Sequence, residues 1–154
     1  MSIGPRRAGI AAAVALLLAA QTPPPPEPSC THVDGPHRGL AYEVHIVFFD
    51  RDSAAITRSA AATLAQAAET YRPLAHCLLT VAAHADGAGP SAYNLRLSLR
   101  RATAVVARLR RLGVHAPAVI EAFGETRPIV ETADGAQEAQ NRRAEIIIGP
   151  RRGR

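Results

Sequence analysis

Apolar and polar residues repeat with two different periods along the chain, and the shorter period indicates β-strands. Residues 41–49 are rich in β-forming residues, with Val44, Ile46 and Phe48 on one face and Glu43, His45, Val47 and Phe49 on the other. A later stretch is almost continuously apolar, as expected for a strand that helices cover. The predicted strands are residues 41–49, 77–83, 120–123 and 144–148.

The longer period, close to that of an α-helix, predicts two helices between these strands. The first begins after Thr57, a good capping residue, and stops before Pro73. The second covers residues 92–112 and ends at Gly113. Its expected buried stripe is Leu95, Leu99, Ala102, Val106 and Leu109. Strands that alternate with helices predict an α/β (α+β) two-layer sandwich, with two helices covering a mixed four-stranded sheet.

The residues outside this domain, which we place at 41–149, have compositions of their own. Residues 1–20 combine Arg6 and Arg7 with an apolar run too short to span a bilayer easily, which predicts a cleaved signal peptide; retention as an anchor stays open. Residues 21–40 contain four consecutive prolines and predict an extended tether. Residues 150–154 form a basic tail. We therefore expect an exported, periplasmic protein.

The net charge of the chain carries little information about partners. All 18 basic residues are arginine, and the formal charge is +5. Removing the five arginines of the signal peptide and the tail brings that charge to about zero. The predicted domain is therefore close to neutral, which argues against nucleic acid as a partner.

Cys30 and Cys77 are the two cysteines of the chain. In an oxidising compartment an even number of cysteines favours pairing, so we expect a Cys30–Cys77 disulfide. Closing a loop of this size would stabilise the fold by about 4 kcal/mol on the chain-entropy model. Two free thiols are the alternative.

Most of the candidate ligand-binding residues lie in residues 84–102. Asp86 ends the second strand, a Gly- and Pro-containing loop follows, and the next helix carries Asn94, Leu97 and Arg101. These three helical residues fall within about 60° of one another, at the margin of the expected core stripe. Asp86 suits an ammonium group and Arg101 a carboxylate, so the pair predicts a site for a zwitterionic ligand.

Simpler and rival interpretations exist for the same residues. Asp86 could cap the following helix, and Arg101 could be one more solvated arginine. His84 and Asp86 lack a third metal ligand, so we predict no metal site and no cofactor. A glycan hydrolase could use Asp52 with Asp86, or a triad could use His84 with Ser91, but the chain has no nucleophile elbow. We therefore expect that the protein is not an enzyme.

Several motifs occur in the order found in one family, and the chain resembles the OmpA C-terminal-like domain. This is the peptidoglycan-binding module of OmpA proteins, the Pal lipoprotein and the flagellar stator protein MotB. The motifs are FDRDSAAI at 49–56, HAD at 84–86, Asn94, LSLRRA at 97–102, GV at 113–114, GETRP at 124–128 and NRRAEI at 141–146.

The resemblance implies binding of peptidoglycan through the diaminopimelate side chain of its stem peptide. In the family an Asp and an Arg hold this group, and Asp86 and Arg101 match them. Asn94 would orient the ligand, Leu97 would form an apolar wall, and Asp52 would lie at the rim. An envelope membrane complex is a further partner, and association with the outer membrane or cell wall is implied.

The chain departs from the family pattern at three positions near this site. Arg51 replaces an aromatic residue, and Ala83 and Ala85 flank His84 where Gly and Thr are common. An interaction module that has lost peptidoglycan binding is therefore the alternative function. The polar residues 141–143 are interpreted as structural, because they open the last strand.

Overall fold

The computed structural model describes residues 43–75 and 77–149, and it contains a mixed four-stranded sheet with two main helices. The predicted fold class is confirmed. The signal peptide, the tether, the basic tail and Cys30 lie outside the described residues, so the predictions made for them remain predictions. The elements are β1 (Glu43–Phe48), α1 (Arg58–Tyr71), a 3-10 turn (Arg72–Leu74), β2 (Leu78–His84), α2 (Ser91–Arg111), β3 (Ala118–Gly124) and β4 (Arg143–Gly149).

The strands lie in the order β1-β4-β2-β3. Strand β4 is antiparallel to both of its neighbours, whereas β2 and β3 are parallel and are joined through α2. Helix α1 packs on β1, α2 packs on β2 and β3, and the two helices contact each other. The core between helices and sheet is built from aliphatic residues and alanine, as the low aromatic content requires.

Helix α1 begins and ends where the sequence predicts. The Thr57 side chain accepts a hydrogen bond from the Ala60 amide at 3.1 Å, which satisfies one of the free donors of the first turn. Leu64, Ala68 and Tyr71 are buried on its inner side. The helix gives way to the 3-10 turn that contains Pro73.

The predicted buried stripe of α2 is wrong in its first half. Leu95 and Leu99 are 51% and 49% exposed, and the buried side of the helix is rotated toward polar residues. The physical reason is that the first half of α2 packs on loops at the end of the sheet, where polar groups meet polar partners. The buried residues of α2 are Asn94, Leu97, Ser98, Arg101, Ala102, Val105, Val106 and Leu109.

The register of the sheet defines two opposite ends of the domain. At one end Glu43 pairs with Ile148, and Leu78 pairs with Gly149. At the other end Phe48 pairs with Arg143, and β2 runs on from His84 toward Asp86. Because α2 starts just after Asp86, the predicted ligand residues all belong to this second end, which we call the site end.

Candidate functional site

Arg101 is the largest fully buried side chain in the described part of the chain, with 0% exposure. Its guanidinium donates to three backbone carbonyls, those of Ser53 at 2.9 Å, His84 at 2.9 Å and Asp50 at 3.1 Å. It also lies 5.1 Å from the centre of the Phe49 ring. Arg101 therefore fastens the loop after β1 to the end of β2.

This burial has an electrostatic cost that neighbouring charges reduce. Desolvation lowers the pKa of Arg101 to about 10, while the negative charge of Asp86 opposes the fall. Arg101 remains cationic at neutral pH. The sequence predicts Arg101 at the margin of the core, but the structure buries it completely, and the side chain closes the polar end of the core.

Asp86 is also buried, and its two carboxylate oxygens differ. Oδ2 forms an ion pair with Nη1 of Arg142 at 3.0 Å and accepts a hydrogen bond from the Glu138 amide at 3.3 Å. No hydrogen bond from the described residues reaches Oδ1, and this oxygen is not sealed from solvent. Oδ1 of Asp86 is therefore an acceptor atom that the described residues leave unused.

Arg142, which the sequence predicts to be structural, lies directly beside Asp86. Besides pairing with Asp86, it donates from Nε to the Phe49 carbonyl at 3.2 Å. Its Nη2 has no partner among the described residues, and its side chain is 15% exposed. The signal was present in the NRRAEI motif, but only the fold brings the start of β4 beside Asp86.

Asn141, the neighbour of Arg142, has the structural role that the sequence predicted. Its side chain accepts from the Ile129 and Val130 amides and donates to the Val130 carbonyl. This holds the long β3–β4 loop against the site end.

The structure engages Asn94 and Leu97 in packing and internal hydrogen bonds. Nδ2 of Asn94 donates to Glu125 at 2.5 Å, and Ser91 donates to the other oxygen of the same carboxylate. Oδ1 of Asn94 is buried without a partner in the described part of the chain. Leu97 is 2% exposed. Their predicted contacts with a ligand stay predictions.

Asp52 lies at the surface, in the turn that Arg101 holds from below. Its backbone has φ +51, and its side chain is close to Arg51 at 3.4 Å and to the Tyr93 hydroxyl at 3.4 Å. The carboxylate is more than half exposed. This position is compatible with the predicted rim, and Arg51 reaches the same carboxylate.

A polar cleft of about 320 Å³ opens beside Asp86, between the β2–α2 loop and the β3–β4 loop. Ala85 and Gly87, the two neighbours of Asp86, line it together with Glu125 and Asn141. A Cβ at Gly87 would stand 3.6 Å from the Ala136 carbonyl, so the two loops are in near contact there. The cleft is large enough for a peptide side chain or one sugar ring.

His84 faces away from Arg101 and joins a second polar cluster. Its Nε2 lies 3.7 Å from Glu145, which also accepts from Arg143 at 2.8 Å, and its ring stacks on Phe123. Burial and the nearby Arg143 charge lower the pKa of His84 to about 4, against the attraction of Glu145. His84 is therefore neutral at pH 7.

The structure does not bring His84 and Ser91 together as two members of a triad. Ser91 is bonded to Glu125, and the His84 ring faces Glu145, so no hydrogen bond joins these two residues. Within residues 43–75 and 77–149 no group of three metal-binding side chains occurs. None of the helices described has the length and apolarity needed to cross a membrane.

Comparisons with known proteins agree on one family. The sequence model of the OmpA family matches residues 48–142. An outer membrane protein of Gluconacetobacter diazotrophicus is 38% identical over 111 residues, which are 68% of this chain and 29% of that protein. A peptidoglycan-associated lipoprotein of Agrobacterium fabrum is 36% identical over 104 residues, 67% of this chain and 59% of that one.

A solved structure gives the same result. The peptidoglycan-associated lipoprotein of Burkholderia pseudomallei matches with a TM-score of 0.61 and 34% identity, over 68% of this chain and 89% of that chain. The chain spans less than two thirds of the length of the two curated relatives.

Proposed function

The chain belongs to the OmpA family, and on this premise we propose that it binds peptidoglycan non-covalently in the bacterial cell envelope. The relatives support the proposal, since two of them are peptidoglycan-associated lipoproteins and a third is an outer membrane protein. In this role the domain is a binding module without catalytic activity, and it connects the cell wall to an envelope component. We place it in the periplasm.

The finer proposal is that the site recognises the diaminopimelate group, whose free end carries an ammonium and a carboxylate. The observation that carries it is the open Oδ1 of Asp86, held beside two buried or half-buried arginines. If the ligand ammonium binds at Oδ1, the ligand carboxylate lies near the positive charges of these two arginines. Nη2 of Arg142 is the donor for it, and the buried charge of Arg101 adds attraction from behind.

The test is binding to purified sacculi of the diaminopimelate type. Asp86→Asn keeps the shape of the side chain but removes the charge that takes the ammonium, and Arg142→Gln removes the free donor. We expect each variant to bind at least about 30-fold more weakly, because truncating one member of a desolvated charge pair costs about 2 to 5 kcal/mol.

Arg96→Ala is the matched control, because Arg96 is exposed on α2 and has no ion pair or hydrogen bond with described residues. Arg100 is a poorer control, since it lies 5.7 Å from the Tyr93 ring beside Asp52. Sacculi of the lysine type lack the second carboxylate and should bind the wild type poorly. If all variants, including the control, lose affinity for sacculi equally, and the affinity falls in proportion to the salt concentration, then the binding is only diffuse charge attraction.

A further inference from the structure

A second cavity lies between the two helices, and it shares no lining residue with the cleft beside Asp86. It measures about 410 Å³, and the start of α1 and the last turns of α2 form its walls. Arg108 stands about 25 Å along the axis of α2 from its first residue, so this groove is separate from the cleft beside Asp86. We call it the interhelical groove; Arg58, Arg108 and Arg111 line it over a floor that includes Ala61, Ala104 and Ala107.

The positive charge in this groove has no ion-pair partner among the described residues. None of its lining residues is acidic. Within the described residues, no ion pair or hydrogen bond involves the side chains of Arg58, Arg108 or Arg111, and Nε of Arg108 is buried without a partner. Three arginines thus line one cavity, and none of them is paired with an acidic side chain of the described residues.

Helix electrostatics explain only part of this arrangement. Arg108 and Arg111 lie in the last turn of α2, where positive charge stabilises the helix. Arg58 is the first residue of α1, where the helix end is itself positive, and the first turn contains no acid to offset it. An arginine at this position works against folding, and such local conflicts are expected where a residue serves binding.

We propose that the interhelical groove binds a phosphate group of an ester ligand. Each guanidinium offers a planar set of donors and no acceptor, and a carboxylate needs only one such fork. A phosphate group has more oxygens and up to two negative charges, so it engages several arginines at once. The alanine floor leaves room for the apolar part of an ester. This site is independent of the peptidoglycan proposal.

Two probes distinguish free phosphate from a lipid head group. The first is inorganic phosphate, titrated against chloride at constant ionic strength and followed by amide chemical shifts. The second is flotation with vesicles of phosphatidylglycerol in phosphatidylcholine, compared with phosphatidylcholine alone. Arg58→Gln and Arg111→Gln should raise the apparent Kd by about tenfold or more, because each removes a charge-assisted contact.

Arg110→Gln is the matched control, since Arg110 is exposed in the same turn, carries the same charge and does not line the groove. It should change either Kd by less than about twofold. Groove-dependent binding of phosphate in solution supports a soluble phosphate ester. Groove-dependent binding to vesicles alone supports a phospholipid head group.

Two results would overturn the proposal. One is an equal loss in Arg110→Gln and in the groove variants, which would mean diffuse attraction; the other is that neither probe binds. Thermal unfolding gives a second measurement, because phosphate should raise the Tm of the wild type more than that of Arg58→Gln. Binding to sacculi should be unchanged in Arg58→Gln, so failure here is separable from failure of the peptidoglycan proposal.

Discussion

At the scale of single residues, burial decides what Arg101 contributes. A charged side chain with no exposure must have partners, and Arg101 finds them in three backbone carbonyls and in the nearby charge of Asp86. Asp86 and Arg142 are less enclosed. The three charges therefore divide into one that holds the loops together and two that keep some exposed surface, which we propose as the ligand contacts.

Arg101→Ala should destabilise the fold strongly. The substitution leaves a cavity and three carbonyls without their donor, and we expect the free energy of unfolding to fall by about 3 kcal/mol or more. The free energy of unfolding of Arg101→Lys should lie between those of the wild type and Arg101→Ala, because one ammonium cannot reach all three carbonyls. Urea unfolding measures both, and Arg96→Ala should change stability by less than about 0.5 kcal/mol. If Arg101→Ala unfolds like the wild type, the side chain has no structural role.

At the scale of elements, the end of β3 touches the start of α2 closely. Gly124 has φ +55, and a Cβ there would stand 3.1 Å from the Leu95 amide nitrogen. Its own amide donates to Ser98 at 3.0 Å. The first half of α2 is thus fixed by backbone proximity, polar contacts and Leu97, whereas Leu95 and Leu99 are exposed.

Gly124→Ala should therefore cost more stability than Gly113→Ala. Both glycines have positive φ, so both substitutions strain the backbone. A Cβ at Gly113 meets nothing within 4 Å, so a steric clash is added only at Gly124. We expect a loss of about 1 kcal/mol at Gly113 and about 2 to 3 kcal/mol at Gly124. Equal losses in thermal or urea unfolding would show that the close approach is relaxed easily.

The helices and strands show how far the sequence could predict the structure. Periodicity located all four strands and both helices, and Thr57 and Pro73 set the limits of α1, because these signals are local. The rotation of α2 was missed because Asn94, Ser98 and Arg101 are buried through partners distant in sequence. Arg142 was missed for the same reason, since its pairing with Asp86 depends on β4 lying next to β2.

At the scale of the whole molecule, the His84 cluster makes stability depend on pH. His84 and Glu145 lie on adjacent strands, and Phe123 adds β3 to the contact. The folded pKa of His84 is about 4, below its ordinary value of 6.5. The unfolded chain therefore takes up the proton first, so this contribution to stability is complete above about pH 6.5 and is lost as the pH falls toward 4.

His84→Gln should flatten that dependence. Between pH 6.5 and 4 the wild type should lose on the order of 2 kcal/mol more unfolding free energy than the variant, because glutamine has no proton to take up. Urea titrations at several pH values give the difference directly. Parallel pH profiles for the two proteins would mean that His84 does not control acid sensitivity.

The two ends of the sheet also determine how the domain responds to force. Glu43 and Gly149 stand at one end, and Asp86 stands at the other. A pull between a bound cell wall and the chain before Glu43 would run along the strands. The hydrogen bonds between β1 and β4 lie across that direction, so they are sheared together instead of opening one by one. Forced unfolding depends on the unfolding rate, so resistance to tension need not follow equilibrium stability.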